Sequence, residues 1–209
     1  MIRKLFMIVY HNLIIRPRLG SAKFYNFFSL STMIQRPKSI NIGSNNFFER
    51  NSKVLNPNKK SSISIGNNNK FDFNCSINSH HGHIIIGNNN FIGPNSIVQG
   101  LGGIEIGSNC MIAGNTFISS SNHDFSKPSH TNYLRKEIGQ KVIISDYVWI
   151  GANSVVTAGV KIDKYSIVAA GSIVTKDVPE YCIVAGNPAI IIKTYDSKQK
   201  KWIRSDHHD

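Results

Sequence analysis

Aliphatic residues return every six positions through the C-terminal half of the chain: Ile144, Ile150, Val156, Ile162, Val168 and Val174. The same interval appears upstream in triplets: Ile42, Phe48, Val54; Ile65, Phe71, Ile77; Ile86, Ile92, Val98; and Ile106, Ile112, Ile118. A small residue often follows four positions later, as at Ser96, Cys110, Thr116, Ser154 and Ser172. One hexapeptide buries only one aliphatic side chain and one small one, so no repeat is stable alone and the repeats must stack. Three short strands closing one triangular coil would point every aliphatic residue at a common axis, with parallel sheets forming the walls. Gly-Asn and Asn-Asn pairs after the aliphatic position, as in Ile65-Gly66-Asn67-Asn68-Asn69, supply residues that tolerate positive φ at the corners. The pattern predicts an all-β parallel solenoid in which the many asparagines are turn residues.

Three further stretches sharpen the picture: Asp146-Tyr147-Val148-Trp149-Ile150-Gly151-Ala152, then Ala169-Ala170-Gly171-Ser172-Ile173-Val174-Thr175-Lys176-Asp177-Val178-Pro179, then Val184-Ala185-Gly186-Asn187-Pro188-Ala189. Together with the repeats, they resemble the hexapeptide-repeat acyltransferases over about residues 40–192, in particular the sugar and polysaccharide O-acetyltransferases of the maltose and galactoside acetyltransferase-like group. The resemblance implies a left-handed parallel β-helix, a handedness that periodicity alone does not carry. It also implies acetyl-CoA as co-substrate and a homotrimer with active sites between subunits.

The expected organisation is a basic apolar segment over 1–38, β-helix coils over 39–121, an active-site loop over 122–141, cofactor-binding coils over 142–178 and a tail over 179–209. The formal charge is +12, and residues 1–38 contribute seven basic residues and no acidic one. That excess, interleaved with Leu5, Phe6, Ile8, Val9, Leu13, Ile14 and Ile15, fits either a cap on the solenoid end or a helix lying on an anionic membrane face. His11 and Asn12 interrupt the apolar run, which is too short to span a bilayer and does not read as a signal peptide. The expected location is cytoplasmic, with peripheral membrane contact as an option. Charge placed outside the repeats, with no reader motif, argues against nucleic acid. Cys75, Cys110 and Cys182 lie far apart without metal spacing and read as buried thiols in a reducing compartment.

A solenoid interior offers no reactive groups, so chemistry is expected where the rhythm breaks. The largest break separates Ile118 from Ile144 and holds Ser119-Ser120-Ser121-Asn122-His123-Asp124-Phe125. A histidine ordinarily titrates near 6.5, so its neutral ring can take a proton from a hydroxyl as that hydroxyl attacks a carbonyl. The resemblance places the general base at the start of this loop, which makes His123 the candidate, with His130 a weaker one. Asp124 reads as a solvated loop acid. By the same resemblance Gly151, Ala152 and Trp149 form the oxyanion donor and site wall, while Ala152, Ala170, Thr175, Lys176 and Lys193 contact the cofactor.

The chain also departs from its relatives. Ile190 stands after Asn-Pro-Ala where those sugar acetyltransferases often have arginine, and Lys193 is the later cation, without a bidentate fork. Gly93 replaces their acceptor-side asparagine, and their acidic pair is missing near Gln99. The implied acceptor is therefore a sugar or polysaccharide other than a simple galactoside or maltose. Asn122, Asp124, His81, His83 and Gln99 are the candidates for the acceptor side. His81 and His83 sit too close together for the three-histidine zinc site of related β-helix enzymes, so no metal is expected. The resulting expectation is O-acetylation of a sugar hydroxyl in bacterial surface polysaccharide biosynthesis. The alternatives are N-acetylation of a nucleotide-linked amino sugar and a non-catalytic solenoid.

Overall fold

The computed structural model describes residues 10–23, 25–128, 131 and 134–205. Short parallel strands stack into three faces, two of seven strands and one of ten. Consecutive strands fall on consecutive faces, so every third strand pairs with the one three earlier and seven coils result. Coil 1 comprises Ser21–Ala22, Phe27–Phe28 and Met33–Gln35; coil 5 comprises Ile104–Ile106, Met111–Ile112 and Phe117–Ser119; coil 7 ends at Ile173–Val174. The molecule is a parallel β-helix, and its hexapeptide repeats fit the left-handed form.

The six-residue beat is the core. Ile150, Val156, Ile162 and Val168 are fully buried, as are Ile112 and Ile118. In the first coils the axis is aromatic: Phe28, Phe48 and Phe71 are fully buried and stack at 4.4 and 4.6 Å with near-parallel rings. The small residues Ser96, Thr116, Ser154 and Ser172 are buried beside them, and Ser154 Oγ donates to the Gly151 carbonyl at 2.7 Å.

The solenoid starts earlier than residue 39. Coil 1 lies inside the segment set apart as 1–38: Ala22, Phe28 and Ile34 keep the six-residue interval and stand in register with Ile42, Phe48 and Val54. Before it, a turn of π-helix over His11–Ile15 leads into Arg16–Arg18; Ile15 packs against the core and Leu19 is buried. Residues 1–9 lie outside the described residues, as does His130. At the other end Cys182–Gly186 adds an eighth strand to face two, and Ala189–Asp196 and Lys201–Arg204 continue that sheet antiparallel. Much of the expected tail is therefore sheet. Among the described residues no helix is long and apolar enough to cross a membrane.

Candidate functional site

The coils meet at three edges. Face one turns to face two through an edge holding Asn45, Asn68 and Asn89, and face two turns to face three through Asn95, Asn115 and Asn153. The third edge, from face three back to face one, carries the long insertion after coil 5. There Ser121–His123 and Glu137–Gly139 form an antiparallel hairpin in which His123 is the cross-strand partner of Glu137. Gly139 is needed at its base, since a Cβ there would lie 2.6 Å from Gly102 Cα in the coil below.

His123 is exposed, and its Nδ1 lies 3.1 Å from the Arg135 carbonyl. A carbonyl only accepts, so in the neutral ring Nδ1 donates its proton to that oxygen and Nε2 keeps its lone pair for a substrate. Arg135 in turn donates to the Asp124 carbonyl at 2.6 Å, closing the hairpin around the ring. Asn122 is exposed and accepts the His123 backbone N–H at 2.9 Å. The Asp124 carboxylate turns away from the imidazole and accepts the Ser126 N–H at 2.9 Å. Hydrogen bonds from the Ser126 backbone and hydroxyl hold that carboxyl below the usual range for aspartate.

A contact that sequence spacing does not reveal ties the hairpin to the body. Glu137 Oε2 lies 3.8 Å from His80 Nε2, at the corner between coils 3 and 4. The His80 ring is mostly buried, and among the described residues its Nδ1 has no partner. His81 Nδ1 accepts from Asn58 Nδ2 at 2.8 Å, while His83 Nδ1 lies 2.9 Å from Ser62 Oγ. The two therefore engage neighbours on separate elements instead of converging. Gln99 is half-buried at the end of its strand, and its carbonyl accepts the Ser120 N–H at 3.0 Å, just below the hairpin.

The Trp-Ile-Gly-Ala residues sit one face away. Trp149 is 45% exposed on the outer side of face two, in register with Met111 and Ile167. Gly151, Ala152 and Ala170 follow on the second edge, where a Cβ on Gly151 would meet Ala170 N at 2.5 Å. The Gly151 N–H already donates to the Val168 carbonyl at 2.8 Å. No acceptor meets the Ala152 N–H among the described residues, so of the two amides it is the one free to donate. Thr175 and Lys176 are exposed at the end of the last coil strand on face three.

Lys193 is exposed on the C-terminal sheet, directly opposite Arg204, and both line a cavity of about 680 Å³ with Trp202. Arg204 supplies the planar fork that Lys193 lacks. Its position depends on an antiparallel register eleven residues distant, which periodicity does not show. Within one chain, then, the hairpin collects His123, Asn122, Glu137 and His80, and the second edge separately collects Gly151, Ala152 and Ala170.

Comparisons with known proteins agree with this architecture. The family model for the bacterial transferase hexapeptide (six repeats) matches residues 141–176, and the model for the hexapeptide repeat of succinyl-transferase matches residues 83–120. The chain is 33% identical over 132 residues to galactoside O-acetyltransferase of Escherichia coli, covering 62% of this chain and 63% of that one. Its matches span between 25% and 63% of the length of such curated relatives. Among solved structures it is similar to AntD, an N-acyltransferase from Bacillus cereus in complex with dTDP and coenzyme A, at TM-score 0.62, 25% identity and 87% coverage of both chains. It is also similar to the polySia specific acetyltransferase NeuO, at TM-score 0.59, 26% identity and coverage of 90% of this chain and 91% of that one.

Proposed function

We propose, from the premise that the chain belongs to the hexapeptide-repeat transferases, that it is an acetyl-CoA-dependent O-acetyltransferase acting on a sugar hydroxyl in surface polysaccharide biosynthesis. The observation that carries this reading is the hairpin histidine, whose Nδ1–H is spent on the Arg135 carbonyl and whose Nε2 is left to act as base. Nε2 takes the proton of the acceptor hydroxyl as its oxygen attacks the thioester carbonyl carbon. The Ala152 N–H stabilises the oxyanion that develops there. As the carbon–sulfur bond breaks, the imidazolium returns the proton to the departing thiolate, so no enzyme-bound acyl group is formed.

His123 and Ala152 lie on different edges of one prism, so the site is completed by a neighbouring subunit in a trimer. Apolar rows favour this assembly: Phe91, Met111, Trp149 and Ile167 line the outside of face two, and Ile97, Phe117, Val155 and Ile173 that of face three. In the matching row of face one, Glu105 and Lys161 alternate with Ile85 and Ile143. In the cofactor half, Ala152 and Ala170 let backbone approach the pantetheine arm, with Trp149 as wall. Thr175, Lys176, Lys193 and Arg204 face the nucleotide phosphates, and no metal takes part.

The AntD likeness favours one second reading, N-acetylation of an amino sugar by the same base. CoA release from acetyl-CoA, measured against matched hydroxyl and amino sugars free, nucleotide-linked and polymeric, separates the two. Turnover that requires a free hydroxyl is expected; turnover that requires the amine instead would replace the reading.

A further inference from the structure

The third edge carries more than the hairpin. Below it, the corners between coils 1 and 2 and between coils 2 and 3 enclose a cavity of about 550 Å³ lined by Pro17, Arg18, Arg36, Pro37, Lys38 and Lys59. Four of these are cations, no carboxylate lines the cavity, and among the described residues none of the four makes an ion pair. Arg36 is held at φ +50°, an uncommon conformation for a long side chain, and its Nε donates to the Pro57 carbonyl at 2.9 Å. That bond fixes the guanidinium and leaves its terminal nitrogens for a planar anion. Four uncompensated positive charges repel one another, so the cavity favours an anionic occupant.

Contacts run without a gap from this cavity to the proposed base. Asn58, next to Lys59, donates to His81; His80 faces Glu137; and Glu137 stands opposite His123. With neighbouring strands about 4.8 Å apart, the three coil layers between the Lys59 corner and the hairpin span about 14 Å. That is the reach of a short oligosaccharide rather than of one sugar.

We infer that this edge is the acceptor track for an acidic glycan: phosphate or carboxylate groups of the chain sit between Arg18, Arg36, Lys38 and Lys59 while a hydroxyl further along reaches His123. The inference rests on the transferase reading for its His123 end; the anion site itself does not.

The test uses the full chain and the triple variant R36Q/K38Q/K59Q, with oligogalacturonate and its carboxyl-reduced, uncharged counterpart as probes. Oligogalacturonate should bind the native protein, bind the variant about tenfold or more weakly, and lose affinity as salt rises, because salt screens contacts between exposed charges. The uncharged chain should bind both proteins alike. Among acidic and neutral acceptors that support turnover, the variant should raise KM for the acidic ones and leave kcat in place. Equal binding of charged and uncharged chains, or native affinity in the variant, overturns the acceptor track. So does loss of phosphatidylserine-vesicle binding in the variant with oligogalacturonate affinity unchanged, which would make the patch a membrane contact. Absence of acetyl transfer to any acceptor, with charge-dependent binding intact, would instead remove the transferase reading alone.

Discussion

Coils 2 to 5 and coils 6 to 7 turn the same left-handed corner with different side chains. In the first group the corner residue is Asn45, Asn68, Asn89 or Asn109, all at φ near +60°, and their amides bond coil to coil at 3.2, 3.1 and 3.1 Å. After the hairpin the equivalent residues are Tyr147, Tyr165 and Tyr181, at φ 60°, 61° and 57°. Their rings stack at 4.8 and 5.0 Å, and the column continues to Tyr195 and Trp202. One position further on the contrast repeats inside. Asn46, Asn69 and Asn90 are buried, each donating to the glycine carbonyl of the next coil and accepting that coil's backbone N–H. Val148 and Ser166 take that place after the hairpin.

Backbone geometry is shared along the whole solenoid, while the forces holding each corner are not. Asparagine visits the left-handed region at little cost and satisfies itself by a hydrogen-bonded ladder. Tyrosine is bulky there, and stacking offsets the strain. At the corner residue the switch falls at the hairpin; at the buried position it falls one coil earlier, where Cys110 takes the asparagine's place.

The aromatic axis is the most sensitive part of the N-terminal coils. Phe48→Ala removes the middle ring of the Phe28, Phe48, Phe71 stack and should cost about 3–5 kcal/mol, read as a lower urea midpoint; the loss should exceed that of Val168→Ala in coil 7. Next, Asn69→Leu strands the Asn90 N–H and the Gly87 carbonyl, at about 1–3 kcal/mol for each unsatisfied group. Ser166→Ala, at the matching place beyond the hairpin, should cost less, and equal losses would erase the distinction. Tyr165→Asn exchanges two ring stacks of about 0.5–1.5 kcal/mol each for relief of strain, so stability should move by about 1 kcal/mol or less. A larger loss would show that the tyrosine column carries the C-terminal coils.

The smallest effect is chemical. Burial pushes the Cys75 thiol up to about 12 and the Cys110 thiol up to about 11, from an ordinary value of 9.0. Both should stay protonated and resist thiol reagents at pH 8 until the protein unfolds. Because the folded values are raised, their contribution to stability is intact below about pH 9 and falls as pH climbs from there toward the folded values. Rapid labelling of the native protein would contradict this.

The six-residue beat was enough to name the core, because each aliphatic position has one possible direction in a closed coil. Coil 1 keeps the same interval at Ala22, Phe28 and Ile34, but a triplet that opens on a small alanine, set among basic and polar residues, does not stand out as a repeat. The asparagines were half legible. Asn68 is the turn residue its neighbours suggest, whereas Asn69 looks identical in sequence and is buried, a difference decided by the coil above it. The break marked His123, yet the hairpin pairing that sets Glu137 opposite it, the His80 contact and the Lys193 and Arg204 pair all depend on long-range register.

In the proposed reaction His123 is the base of a transfer in which it holds no cofactor. The most direct measurement is single-turnover acetyl transfer by the native protein and His123→Ala, with acetyl-CoA affinity and thermal midpoint determined on the same samples. Affinity and midpoint should hold while the transfer rate falls about 10²–10⁴-fold, the usual worth of a general base. A His123→Ala protein that transfers acetyl at the native rate would show that His123 is not the base.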